Sequence, residues 1–228
     1  MNNLQIASQI LLEPQAAFNA LGERPRFWFP LLLLVLGSAV GLFGYFQMVD
    51  FNWLNDNILR PASQSGSDAE SSPLLSRGVV IGTSTAAVLI GLTVARLLES
   101  SYFLLAGRMA NIERSFRHWM ALSCWSALPL LLILLVSMGF MLMHPNGQVA
   151  QEELNVLSLN ELLFHVQRNS PWHGWLSTLT ILHPWVWWLS AIGVKAWSGR
   201  SMAFSVAFSM VPWSVYYGVW ALIILVRA

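Results

Sequence analysis

Arg96 and Glu99 are the residues of this chain whose types and spacing most directly suggest chemistry. They lie three positions apart inside an apolar stretch, so an α-helix would place them on one face as an ion pair. Ionisable groups at membrane depth are costly and by default indicate function, here a site for a proton, an ion or an anionic headgroup. The alternative is structural. If the membrane ends near Leu98, both side chains reach the interface by snorkelling.

Other catalytic and metal-binding patterns are missing from the sequence. The chain has five histidines, and none follows a ligand spacing such as H-E-x-x-H or H-x-x-H. Three of them share a segment with three glutamates (His144, His165, His173, Glu152, Glu153 and Glu161). There is no serine-base-acid constellation, P-loop or glycine-rich nucleotide motif. We therefore expect no enzyme activity, no metal and no cofactor.

Five long apolar runs must position Arg96 and Glu99. They cover residues 27–49, 79–106, 121–143, 175–194 and 202–226. Crossing about 30 Å of hydrocarbon takes about 20 helical residues. The chain is 56% hydrophobic and 10% charged, whereas a soluble domain is about 25% charged. We predict an all-α polytopic membrane protein, one five-helix bundle over residues 1–228. The formal charge of +1 argues against nucleic-acid binding.

Charge predicts the orientation of the bundle. Seven Lys or Arg residues and three acids lie in the segments 1–26, 107–120 and 195–201. The segments on the other side carry four Lys or Arg residues and seven acids. Because Lys and Arg favour the cytoplasmic side, the N-terminus is predicted to be cytoplasmic and the C-terminus outside. Membrane lipids are the predicted contacts of the apolar runs.

The segment before the first run, residues 1–26, reads as a short amphipathic helix broken at Pro14 on the cytoplasmic side. Its apolar residues recur at about 3.5 positions (Leu4, Ala7, Leu11, Phe18 and Leu21). It contains no Lys or Arg before Arg24, so strong attraction to anionic lipid is not predicted. Two placements remain open, the membrane interface and the end of the bundle itself.

Small residues four positions apart mark a candidate helix-packing face. Gly37 and Gly41 lie in the first run, and Gly78 and Gly82 open the second. Such residues let two helix backbones approach closely in a membrane. Packing of the first run against the second is the simpler interpretation, and homodimerisation through this face is the alternative.

Local signals outside these faces predict smaller features. The serine-rich stretch 63–73 reads as a flexible loop. Ser158 and Glu161 have the spacing of a capping box, which predicts a helix running to about Arg168. Three runs contain an interior proline that can kink a helix (Pro129, Pro184 and Pro212).

The turn between the second and third runs is a candidate cytoplasmic partner surface, through Arg108, Arg114, Phe116 and Arg117. With the small-residue faces, it supports a non-enzymatic adaptor or organiser of membrane protein complexes. The partners would be other membrane proteins or a second copy of the chain. A transporter of a small solute, an ion or a lipid, using Arg96 and Glu99, is the alternative.

The same turn and its flanks resemble the Yip1 domain family. The shared features are a second run ending at Gly107, the pair Ser115-Phe116, and small residues before Pro129. At the start of the chain, Leu12-Glu13-Pro14 followed by Ala17-Phe18 and by a span opened at Pro30 is similar to bacterial members.

The resemblance implies five spans with a cytoplasmic N-terminus. In eukaryotes it implies adaptors of early secretory membranes that bind small GTPases. The longer polar N-terminal domain and the Tyr-Gly-rich motifs of those members are missing here. In bacteria it implies inner-membrane proteins, so the resemblance predicts the cell inner membrane as the location of this chain.

Overall fold

The described part of the chain is almost entirely helical. The computed structural model describes residues 2–60 and 76–227. The predicted loop at 63–73 lies outside the described residues. Within the described ranges there is no β-strand, and one isolated backbone pairing joins Ser158 and Thr180. The fold class is all-α, as predicted.

Ten α-helices lie in the described ranges. In chain order they are α1 (Asn3–Leu12), α2 (Pro14–Glu23), α3 (Trp28–Met48), α4 (Phe51–Leu54), α5 (Arg77–Met109), α6 (Phe116–Ser126), α7 (Leu131–Leu142), α8 (His173–Thr178), α9 (His183–Ser198) and α10 (Met202–Arg227). Short 3-10 or π-helical turns occupy Asn55–Leu59, Leu128–Leu130, Gln151–Leu154 and Asn160–Phe164.

Among residues 2–60 and 76–227, four apolar paths are long enough to cross a membrane. They are α3, α5, the path of α6 and α7 over Phe116–Leu142, and α10. They correspond to the first, second, third and fifth apolar runs of the sequence. Pro129 lies in the 3-10 turn that joins α6 to α7, and Pro212 lies inside α10. Helix α5 has 33 residues, which at 1.5 Å per residue is about 50 Å, well beyond the hydrocarbon core.

The fourth apolar run differs from the single helix predicted over 175–194. The structure has the short helix α8, a break at 179–182 and then α9. Pro184 lies in the first turn of α9 rather than in a helix interior. Proline is favourable at that position, because a first-turn residue donates no intrahelical N–H bond. Before it, the backbone N–H of Thr180 donates to Nδ1 of His183 (3.0 Å), which holds the break in shape.

The N-terminal segment packs against the bundle as two helices, α1 and α2. Asn2 caps α1 by accepting a hydrogen bond from the backbone of Gln5 (2.8 Å). Phe18 on α2 is fully buried, and the indole of Trp197 on α9 donates to its carbonyl (2.7 Å). A Cβ at Gly193 would lie 2.2 Å from Leu122 and 3.0 Å from Phe18, so glycine permits this close approach. The segment therefore packs on the end of the bundle, which is one of the two placements left open by the sequence.

The largest apolar core lies where α1 and α2 meet α5, α6, α9 and α10. We call this end of the bundle the basic end, since it also carries the turn at 110–115. Trp119 is fully buried there, with its ring centroid 5.7 Å from those of Phe103 and Trp197 and 6.2 Å from that of Phe208. Aromatic rings at these separations add attraction beyond that of simple burial.

The opposite end is tied together by backbone contacts. The C-terminal end of α3 approaches the loop after α7 so closely that a Cβ at Gly147 would lie 2.5 Å from the carbonyl oxygen of Met48. Gly147 also has φ +65°, which favours glycine. Its carbonyl accepts a hydrogen bond from the N–H of Asp50 (2.9 Å). Glycine is therefore required at position 147, where the end of α3 meets the loop after α7.

The helix predicted to run from Ser158 to about Arg168 is shorter in the structure. The Ser158 hydroxyl accepts a hydrogen bond from the N–H of Glu161 (3.2 Å), as a capping serine does. The helical turn ends at Phe164, because His165 adopts a left-handed conformation with φ 50°. The Asn160 side chain then accepts a hydrogen bond from the N–H of Val166 (2.9 Å).

Candidate functional site: a buried ion pair and an exposed basic turn

Arg96 and Glu99 form an ion pair inside the bundle. They lie three residues apart on α5, and Nη1 of Arg96 is 2.9 Å from Oε2 of Glu99. Both residues are nearly inaccessible, with 7% of Arg96 and 6% of Glu99 exposed. The face of α5 that carries them is directed toward α6 and α10 rather than outward.

Ser123 on α6 contacts both partners of the ion pair. Its carbonyl oxygen accepts a hydrogen bond from Nη1 of Arg96 (3.2 Å), and its hydroxyl donates to Oε2 of Glu99. The Ser100 hydroxyl, one turn along α5, donates to the carbonyl of Arg96 (2.6 Å). The other carboxylate oxygen of Glu99, Oε1, is buried and has no hydrogen-bond partner among the described residues.

Aromatic rings from α9 and α10 complete the surroundings of Arg96. The Arg96 guanidinium lies over the ring of Trp213 on α10, 5.7 Å from its centroid, which is a cation–π geometry. The ring of His183, the first residue of α9, lies 5.6 Å from that of Trp213. The ion pair is therefore enclosed by α5, α6 and α10, with the break in the fourth run close by.

The position of the ion pair along the helices is well inside the bundle. At 1.5 Å per residue, Arg96 lies about 20 Å from the end of α5 at Met109, and Ser123 lies about 10 Å from the start of α6. Trp213 lies about 16 Å from the start of α10 by the same measure. For comparison, the hydrocarbon core of a bilayer is about 30 Å thick.

The sequence reveals the ion pair but not its neighbours from other helices. The spacing of Arg96 and Glu99 indicates a shared face, because both belong to one helix. Ser123 is one small residue among several on α6, and nothing in its local pattern marks it as a partner. Trp213 follows Pro212 within an apolar run, and His183 lies in another; neither has a spacing signal that points to Arg96.

The four candidate packing glycines meet different neighbours. A Cβ at Gly37 would lie 3.0 Å from Leu131, and a Cβ at Gly41 would lie 2.7 Å from Leu134, so these glycines face α7. Among residues 2–60 and 76–227, no atom lies within 4 Å of a Cβ added at Gly78 or at Gly82. The first pair thus lies at the contact between α3 and α7, whereas no described residue packs against the second pair on α5.

The turn between α5 and α6 is held in place by two arginines. Nη1 of Arg114 donates to the carbonyl of Gly22 at the end of α2 (3.3 Å), and its guanidinium lies 5.9 Å from the ring centroid of Trp197. Nη2 of Arg200, just before α10, donates to the carbonyl of Ala110 (2.7 Å). Three separate segments therefore fix the shape of this turn.

The same turn presents an exposed basic surface, which we define as Arg108, Arg114, Phe116 and Arg117. Arg108, Phe116 and Arg117 are exposed, and Arg114 is half-buried because of its contacts. A cavity of about 370 Å³ opens beside it, lined by Arg108, Asn111, Ile112, Glu113, Arg114 and Ser115. The four residues predicted as a partner surface thus lie together. The turn that carries them is held in position by the contacts with Gly22 and Arg200.

The chemistry available at these two places is charge pairing and hydrogen bonding. Among residues 2–60 and 76–227, no group of three or more His, Cys, Asp or Glu side chains is placed to hold a metal ion. The ion pair links α5 to α6 through Ser123, and the basic surface exposes arginine side chains that can form ion pairs.

Comparison with known proteins places the chain in a family. The sequence model of the Yip1 domain matches residues 8–223, nearly the whole chain. No curated protein and no solved structure matches the chain. The apolar helices and this domain together indicate a multi-pass integral membrane protein in contact with lipid. The chain belongs to the Yip1 domain family.

Proposed function

We propose that this protein is a non-enzymatic adaptor or organiser of membrane protein complexes or membrane traffic. In this proposal it lies in the cell inner membrane, with the N-terminus in the cytoplasm and the C-terminus outside. The excess of Lys and Arg at the basic end supports that orientation. The partners are other membrane proteins, and a second copy of the chain is one of them if the open faces of Gly78 and Gly82 meet.

The observation that carries the proposal is that the basic surface lies on a turn held in position by the Arg114–Gly22 and Arg200–Ala110 hydrogen bonds. An interface that is already ordered loses less conformational entropy when a partner binds. Contacts to Gly22 and Ala110 order the turn from behind, while Phe116 and Arg117 stay exposed in front. Aromatic residues and arginines are enriched in protein interfaces. The surface therefore suits a partner with a complementary acidic segment.

Charge reversal at this surface tests the adaptor proposal. We expect Arg117→Glu to lower the recovery of co-purifying membrane proteins about tenfold, because a like charge facing an acidic partner costs more than 1 kcal/mol. Quantitative mass spectrometry after affinity purification in a gentle detergent measures the recovery. Gln148→Glu changes an exposed residue at the opposite end and should leave recovery unchanged. Equal recovery with all three proteins would refute the proposal.

A transporter is the second candidate, and one specific arrangement favours it. The buried ion pair lies near the break in the fourth run. The ring of Trp213 connects them, because it contacts both Arg96 and His183. Discontinuous helices near buried charges are typical of transporter binding sites. Under this candidate, wild-type protein in liposomes speeds the decay of an imposed pH gradient, and Arg96→Leu/Glu99→Leu does not. Equal decay rates would exclude proton transport through the pair.

A further inference from the structure

The cavity beside the basic surface has the chemistry of an anion site. Two arginines line it, Arg108 and Arg114, together with the polar side chains of Asn111 and Ser115. Guanidinium groups form strong, often paired hydrogen bonds with phosphate oxygens. The Asn111 amide can add neutral donors, and the Ser115 hydroxyl already bonds to Nδ1 of His118 (2.8 Å). The cavity therefore matches a phosphate-bearing group better than an apolar one.

The charges around the cavity leave a positive excess. Among residues 2–60 and 76–227, Arg108 forms no ion pair. Glu113 is the one carboxylate in the lining, against two arginines. Arg200 is anchored next to the cavity through its bond to Ala110. An anion entering here meets unneutralised positive charge, with one carboxylate opposing it.

Two parts of the cavity wall, Arg114 and the turn at Ile112, are held in position by contacts within the protein. Arg114 is fixed by the Gly22 carbonyl and by the Trp197 ring, and these contacts use only part of its five N–H donors. The N–H of Ile112 bonds back to the carbonyl of Gly107 (2.8 Å), which closes the turn. A site ordered in this way loses little entropy on binding.

An apolar flank lies directly beside these charges. Leu105 is 62% exposed and Met109 is 87% exposed on the last turns of α5, next to Arg108. A free phosphate would use the arginines alone. A phospholipid would use both parts, since its phosphate contacts the arginines and its acyl chains cover the exposed leucine and methionine. The pairing of charge and apolar surface favours the lipid.

We propose that this cavity binds the phosphate headgroup of an anionic phospholipid from the leaflet at the basic end. Basic pockets at this level of a membrane protein are suited to anionic headgroups. The cavity shares Arg108 and Arg114 with the basic surface, whereas Arg117 and Phe116 do not line it. Lipid binding, tested at Arg108, and partner recovery, tested at Arg117, can therefore succeed or fail independently.

Matched single-charge variants of the full-length protein test the site. Native mass spectrometry in detergent, titrated with phosphatidylglycerol or phosphatidylcholine, measures lipid affinity. We expect wild-type protein to prefer phosphatidylglycerol and Arg108→Gln to weaken that binding about tenfold, through loss of a charge-assisted bond. Arg117→Gln removes the same charge outside the cavity and should weaken it less than about twofold.

Glu113→Gln supplies a result that misfolding cannot imitate. Removing the opposing carboxylate should tighten phosphatidylglycerol binding by a few-fold, because the cavity becomes more positive. Equal weakening by Arg108→Gln and Arg117→Gln would overturn the proposal in favour of diffuse surface charge. Absence of a phosphatidylglycerol preference would also overturn it. Full displacement of the lipid by millimolar inorganic phosphate would show a free-anion site instead.

Discussion

Replacement of Arg96 by leucine is expected to lower the free energy of unfolding by about 3–5 kcal/mol, the typical cost of breaking a buried ion pair. The variant leaves the carboxylate of Glu99 inside the bundle with only the Ser123 hydroxyl as a partner. It also removes the bond from Arg96 to the Ser123 carbonyl and the contact with Trp213. Unfolding of the purified protein in mixed micelles, followed by circular dichroism, measures the loss.

The double variant Arg96→Leu/Glu99→Leu is the matched control for this prediction. It removes both charges at once, so no unpaired charge stays in the interior, and most of the lost stability should return. Arg60→Leu provides a second comparison, because the Arg60 side chain is 45% exposed and its ion pair with Asp56 lies at the surface. A loss below about 1 kcal/mol for Arg96→Leu, or an equal loss for the double variant, would contradict a paired and packed Arg96.

Replacement of Trp119 by alanine is expected to destabilise the protein by about 3–5 kcal/mol, as is common for a large aromatic residue removed from a core. Trp119 is fully buried and packs among the rings of Phe103, Trp197 and Phe208. Its ring also fills the space beside Gly107, where an added Cβ would lie 2.8 Å away. The cavity left by alanine would therefore loosen the contacts between α5, α6, α9 and α10 at the basic end.

Trp188→Ala is the matched control, since it removes the same side chain from α9 at a position that is 53% exposed. We expect it to cost less than about 1 kcal/mol, as exposed substitutions usually do. Thermal unfolding in detergent, with helicity as the signal, compares the two variants. Similar unfolding temperatures for Trp119→Ala and wild-type protein would show that this core does not hold the basic end together.

The spanning helices follow from the sequence because run length and hydrophobicity are local properties. The four apolar paths of the structure lie in four of the five predicted runs. The break in the fourth run is different. Nothing in its hydropathy separates 179–182 from its neighbours, and the break depends on the Thr180–His183 hydrogen bond and on contacts with α10. Pro184 is the one local sign, since proline favours the first turn of a helix.

The candidate site could likewise be predicted only where it depends on residues of a single helix. Arg96 and Glu99 share one helix, so their spacing is enough to pair them. Gly37 and Gly41 have a spacing that indicates close helix contact, but it cannot say which helix fills the space, and in the structure α7 does. Ser123 and Trp213 reach Arg96 from other helices. Those contacts depend on how the helices pack, which is a property of the whole bundle.

The most direct test of the adaptor role is photocrosslinking in intact cells from a reactive amino acid placed at Phe116. The matched control position is Met143, which is 79% exposed at the opposite end of the bundle. The proposal predicts one or a few discrete crosslinked proteins from Phe116, absent from Met143 and reduced by Arg117→Glu. Only diffuse background from Phe116, equal to that from Met143, would contradict it.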